Sequence, residues 1–153
     1  MKIQKTVFAA GCFWHIEDSF IKIKGVVKTT VGYTGGNSLN PKYKDVCIGD
    51  TGHAEAVEIE FDSAVITFSE LLEYFWKIHD PCSLNKQGAD VGDQYRSALF
   101  VTNPAQLKES LRQKNFYNKK KYSNKIVTKI ENLSKFSPAE EYHQKYLQKK
   151  SHF

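Results

Sequence analysis

A chain of 153 residues, 41% hydrophobic and 25% charged, is long enough for one domain with a proper core and too short for two, so a single domain over 1–153 is expected. No apolar run approaches the ~18 residues of a membrane helix, and the stretch before Cys12 is too short for a secretory signal, so the expectation is a cytoplasmic protein with no membrane partner. The net charge of +5 conceals an asymmetry: residues 1–104 carry 10 basic against 13 acidic side chains, residues 105–153 carry 12 against 4, and clusters such as Lys119, Lys120 and Lys121 read as the solvated end of a helix rather than a nucleic-acid patch.

In chain order, a β-prone run over 5–10 leads into a helix near 13–23, where Phe13, Ile16, Phe20 and Ile23 recur at helical spacing and Gly25 ends the pattern. A β-branched run from Val26 to Tyr33 follows, then a polar, glycine-rich loop from Thr34 to His53. Strict alternation over 54–61 predicts the next strand. Thr67 and Glu70 form a capping box for a helix carrying Leu71, Leu72, Phe75 and Ile78, which Asp80-Pro81 ends. A second long polar loop runs from Cys82 to Gln94 and gives way to a strand over 95–101. Asn103 and Pro104 open another helix, a short strand is expected over 126–130, and Ser137-Pro138-x-Glu140 reads as the cap of a last helix reaching Lys149. The first six elements spell β-α-β-β-α-β, an α+β, ferredoxin-like plan of helices on one face of a mixed sheet, with a helix-strand-helix extension.

The three cysteines, Cys12, Cys47 and Cys82, are odd in number and lack CxxC spacing, which excludes a disulfide scaffold and disfavours a zinc site. Cys12 stands apart because it falls where the first strand turns into the first helix. Unpaired N–H groups and the positive end of the helix dipole there favour a thiolate, so a lowered pKa and a working nucleophile are expected. Two long loops in a small domain point to function, and both lead into residues that suit a reactive sulfur. Glu55 shares strand parity with Val57, Ile59 and Phe61, which turns it inward, where burial raises its pKa and makes it a proton donor near neutrality; a strand-end glutamate in water is the competing reading. Tyr33 and Tyr43 in the first loop, and Asp90 and Tyr95 in and after the second, offer hydroxyls and charge for a polarised oxygen.

Gly11-Cys12-Phe13-Trp14, Gly32-Tyr33-Thr34-Gly35-Gly36, Asn40-Pro41-Lys42-Tyr43, Gly52-His53-Ala54-Glu55 and the run from Gln87-Gly88 to Gln94-Tyr95-Arg96-Ser97 resemble, in order and spacing, the A-type peptide methionine sulfoxide reductases. The likeness extends from about residue 5 to Tyr142-His143-Gln144. It implies reduction of the S epimer of methionine sulfoxide, free or in proteins, with no metal or bound cofactor. By position it implies that Cys12 is the nucleophile, Glu55 the acid on the sulfoxide oxygen, Tyr43 and Tyr95 its hydrogen-bond partners with Asp90 in support, and Phe13 and Trp14 the wall for the substrate's methyl group. A sulfenic acid on Cys12 follows, to be cleared by a thiol reductant of the thioredoxin or glutaredoxin–glutathione kind, or by dithiothreitol. Many members carry resolving cysteines in a C-terminal tail, whereas this chain stops at Phe153 with none, leaving Cys82 or a direct external thiol as the expected route and Cys47 as a structural residue. A monomer is expected. Two rivals remain in view: a cysteine hydrolase using Cys12 and His53, and a nucleic-acid module, although the strands carry no basic-aromatic signature.

Overall fold

A computed structural model describes residues 2–36, 41–48 and 51–150; Asn40 of the quoted motifs lies outside them. The first strand, β1 (Ile3–Ala10), turns at Gly11, whose φ of +100° suits a residue without a side chain, into α1 (Phe13–Ile21). A second left-handed glycine, Gly25, reverses the chain into β2 (Val26–Thr34); a Cβ there would stand 2.5 Å from the Ile66 side chain. β3 (Ala54–Asp62) runs back antiparallel to both β1 and β2. The predicted capping box opens α3 (Phe68–Lys77): Thr67 Oγ1 accepts from the Glu70 N–H at 3.0 Å, and Glu70 Oε1 accepts from the Thr67 N–H at 3.1 Å. After the second loop, β6 (Ser97–Val101) pairs antiparallel with β1, and Asn103 caps α4 (Pro104–Lys120) as predicted.

Both long loops hold structure that the sequence pattern does not announce. The first contains a six-residue helix, α2 (Tyr43–Ile48). The second contains a two-strand ribbon, β4 (Lys86–Gln87) with β5 (Asp90–Val91), and a 3-10 turn over Asp93–Tyr95, so the predicted strand starts at Ser97 rather than Tyr95.

The C-terminal third departs most from expectation. The expected strand over 126–130 shifts to β7 (Lys129–Asn132), because the Ile126 and Val127 N–H groups are taken by Asn118 Oδ1 and the Pro81 carbonyl. β7 lies parallel to β6, as a crossover through α4 requires. Ser137-Pro138-x-Glu140 is not a helix cap. Phe136–Pro138 forms β8 on the outer edge of β2, a 3-10 turn follows over Glu141–His143, and Lys145 at φ +56° separates it from a short α5 (Tyr146–Lys150). The strand wins because Gly32 leaves room for it: a Cβ at Gly32 would meet the Ser137 carbonyl at 2.4 Å and the Phe136 ring at 2.5 Å. Proline is tolerated there because the edge needs no donor from it.

The result is an α+β fold around a mixed six-stranded sheet in the order β7-β6-β1-β3-β2-β8. On one face Phe13, Ile16 and Phe20 of α1 and Leu71, Leu72 and Phe75 of α3 bury Phe8, Val57, Ile59 and Phe61 of the sheet. The other face carries small residues, Ala9, Ala54, Ala56 and Ala98, under Leu133 and Phe136. Alternation along each strand sends every second side chain to the helical face, and the catalytic candidates stand at that face's C-terminal end of β1.

Gln144 holds the last segment in place. Its carboxamide accepts from the Val31 N–H at 2.9 Å and donates to the Val31 and Ala139 carbonyls at 2.9 and 3.1 Å, extending the β2 edge with a side chain. Gln144→Ala strands the Val31 N–H and is expected to cost about 1–3 kcal/mol. Urea denaturation checks this as a lower midpoint at unchanged slope.

Candidate active site

Cys12 is the N-cap of α1, with extended backbone (φ −62°, ψ 124°); its carbonyl receives the His15 and Ile16 N–H groups at 3.1 and 3.3 Å, and its side chain makes no capping bond. The sulfur is partly exposed and faces the Trp14 and His15 N–H groups at the helix start. These lower its pKa, as expected, but they do not prevail. Burial, joined by the charges of Glu55 and Asp90, pushes the thiol up to about 11. The expected lowering is therefore reversed in the free protein, where Cys12 keeps its proton. Gly11 brings the second loop close, since a Cβ on it would touch the Gln87 side chain at 3.0 Å. Gln87 is itself braced by a reciprocal pair with the Asp80 backbone, at 3.0 and 2.7 Å.

Glu55 points to the helical face, as its parity predicts, and is 1% exposed. Its Oε1 accepts the Phe13 N–H at 3.2 Å, whereas Oε2 is buried with no partner among the described residues. Desolvation pushes the carboxyl up to about 8, against the Phe13 N–H and with the help of Asp90. At neutral pH Glu55 is an acid with a proton to give. Its contact with the residue after Cys12 fixes sulfur and carboxyl in one site.

Tyr43 opens α2, and its ring stacks 6.2 Å from Phe13 and 6.5 Å from Trp14. Burial first, then a hydrogen bond to the Cys47 thiol and the charge of Glu55, raise its hydroxyl pKa. Tyr95 ends the 3-10 turn and is pushed up to about 12 by burial and by Glu55, Cys47, Asp90 and Cys12 around it. Both phenols are thus proton donors throughout the neutral range. Asp90, on β5, brings its charge to bear on Cys12, Glu55 and Tyr95. Phe13 is fully buried and Trp14 partly exposed, so Trp14 offers the accessible part of the apolar wall.

Cys82 lies elsewhere in this network: its N–H donates to Asp80 Oδ1 at 2.9 Å, and the charges around its sulfur are those of Asp80 and Lys125. Tyr33 is a core residue whose hydroxyl donates to Glu140 at 3.3 Å. His53 accepts the Gly36 N–H at 3.1 Å and lines a cavity of about 260 Å³ with Phe100 and Glu131, on the face of the sheet that bears the small residues. That placement removes the support for a Cys12–His53 hydrolase.

Three residues join the site that reasoning from local pattern misses. Glu140 accepts the Tyr43 N–H at 3.3 Å as well as the Tyr33 hydroxyl, and so ties α2 to the sheet edge. His143 Nδ1 accepts the Trp14 indole N–H at 3.1 Å, and the Tyr146 ring stacks on the indole at 3.9 Å. Only the Tyr142-His143-Gln144 portion of the family likeness pointed to this segment.

A sulfur beside a proton-bearing carboxyl, walled by aromatic rings, is the equipment of a thiol oxidoreductase. A family model for peptide methionine sulfoxide reductase matches residues 4–152. The peptide methionine sulfoxide reductase MsrA of Methanococcoides burtonii is 51% identical over 148 residues, spanning 96% of this chain and 97% of its own. Among solved structures, reduced Mxr1 from Saccharomyces cerevisiae superposes with a TM-score of 0.93 at 41% identity, covering 99% of this chain and 88% of that one. Mxr1 in complex with Trx2 gives 0.69 at 31% identity over 95% of this chain and 85% of that one. The chain belongs to the peptide methionine sulfoxide reductase family, and its reaction is the reduction of peptide-methionine (S)-S-oxide.

Proposed function

We propose that Cys12 takes the sulfoxide oxygen with Glu55 as the acid, in one self-contained domain over 1–153. The observation that carries this reading is the buried Glu55 carboxyl, tied through Oε1 to the N–H of the residue after Cys12 and with Oε2 lacking a partner among the described residues. The substrate's methyl group lies against Trp14, which Phe13 backs from the core, and its oxygen faces Glu55 with the Tyr43 and Tyr95 hydroxyls as further donors. Burial keeps the Glu55 carboxyl protonated, and the charge of Asp90 adds to that effect.

The proton balance of the step is simple. The Cys12 proton leaves to solvent before the sulfur attacks, and the sulfoxide oxygen gains one from Glu55. The S–O bond of the substrate breaks and the oxygen ends on Cys12 as a sulfenic acid, while methionine departs. Overall one thiol and one sulfoxide give one sulfenic acid and one thioether, the proton that the sulfur loses to solvent being matched by the one that restores the Glu55 carboxyl. A thiol reductant of the thioredoxin or glutathione class then restores Cys12; the complex of the relative Mxr1 with Trx2 supports the former. The protein acts, on this reading, as a cytoplasmic monomer on free or protein-bound substrate; no helix among the described residues is long and apolar enough to cross a membrane.

The test is chiral. Each methionine sulfoxide diastereomer is supplied separately with dithiothreitol, and the S epimer is expected to disappear while the R epimer persists. Equal consumption of both, or of R alone, overturns the reading.

A further inference from the structure

Of the two thiols that the reductive step leaves unused, Cys47 and Cys82, Cys47 stands among the residues of that step. It lies on the exposed side of α2 one turn after Tyr43, so the two side chains share a helix face. That turn is anchored at the site, because the Tyr43 ring rests on Phe13 and Trp14, the two residues that follow Cys12. The Tyr43 hydroxyl is hydrogen-bonded to the Cys47 thiol, and Tyr95 feels both Cys12 and Cys47. Cys82 has Asp80 and Lys125 for neighbours instead. All three cysteines are unpaired with one another in this structure.

On the reading that Cys12 becomes a sulfenic acid, we propose that Cys47 resolves it, forming a Cys12–Cys47 disulfide across the Tyr43–Tyr95 pair. The Cys47 sulfur attacks the Cys12 sulfur, the Cys12 S–O bond breaks, and the hydroxide leaves with the Cys47 proton as water. Cys47 is oxidised and Cys12 reduced, both to the disulfide level. An external dithiol then attacks the exposed Cys47 sulfur, and two thiol–disulfide exchanges return both cysteines to thiols. The bond requires the two Cα atoms within about 7 Å. The hydrogen bond to Tyr43 holds the resolving sulfur at the rim while the substrate occupies the pocket.

The experiment is a single turnover of the full chain with methionine-(S)-sulfoxide and no reductant, reading released methionine, free thiols, intact mass and the disulfide map. The expected result is methionine released, two of the three thiols lost, a protein two hydrogens lighter, and a cross-link joining the Cys12 and Cys47 peptides. Cys82→Ser is expected to give the same cross-link. Cys47→Ser is expected to end one oxygen heavier, with Cys12 trapped by dimedone. A wild-type protein that gains an oxygen, or a cross-link from Cys12 to Cys82, overturns the assignment of Cys47 while leaving the sulfoxide chemistry standing. No methionine release sinks that underlying chemistry and this assignment with it.

Discussion

Cys12→Ser is expected to lower methionine sulfoxide reduction by more than about 10³-fold, because a serine hydroxyl at neutral pH offers neither the thiolate nor the polarisable sulfur that accepts oxygen. The fold should survive the change. Cys12 makes no side-chain capping bond at the start of α1, and serine is among the preferred residues at that position, so the variant is expected to melt at the wild-type temperature or slightly above it. Two readouts separate chemistry from folding: methionine release in a single turnover, and the thermal midpoint. The intact mass of the variant should not change on exposure to sulfoxide. Turnover at the normal rate would remove Cys12 from the mechanism.

Glu55→Gln is expected to produce the second large loss, with a pH signature that an altered fold would not mimic. In the free protein the Cys12 thiol holds its proton up to about 11 and Glu55 up to about 8. Attack needs the sulfur bare and the carboxyl protonated, which is a form with one proton between the two groups. Species with one proton prevail between the two values, mostly with that proton on the sulfur, and the reactive arrangement is a constant small fraction of them. The wild-type kcat/KM for methionine release should therefore rise roughly tenfold per pH unit toward pH 8 and level off above it. In the glutamine variant the oxygen must take its proton from hydronium. Each unit of acidification cuts the thiolate about tenfold and raises hydronium by the same factor, so the variant's profile is flat. The deficit is expected to be about 10²–10⁴-fold near pH 8 and to narrow as the pH falls toward 5. A variant that tracks the wild type across this range, or a deficit independent of pH, would show that Glu55 is not the acid.

The parts of this molecule that were legible in advance are those set by neighbours in sequence. Strand parity sends Glu55 inward, Gly11 and the helical period place Cys12 at the start of α1, and Thr67 with Glu70 caps α3 as written. What stayed hidden depends on distant partners. Tyr43–Ile48 is too short to show a helical period, yet Val46 buries in the core and holds the helix. Ser137-Pro138 has the look of a cap, but pairing with Gly32 and Tyr33 makes it a strand. Glu140 and His143 reach Tyr43 and Trp14 across 97 and 129 residues of chain. The protonation of Cys12 failed for a different reason. Position in a helix gives the sign of one influence, whereas the outcome depends on how much water the fold removes and which charges it brings near.

The closing of the β2 edge has a consequence for life among damaged chains. From Thr29 to Thr34 its outward groups are met by Lys145, by the Gln144 carboxamide and by residues 136–138. At the opposite end of the sheet β7 alternates Lys129 and Glu131 with its other side chains, an ionic fringe that discourages a stranger from pairing. A reductase of methionine sulfoxide in peptides meets chains with exposed backbone. One whose sheet is closed at the β2 edge and fringed with charge at the β7 edge can engage them by their oxidised side chains and let go, instead of being drawn into a shared β-aggregate.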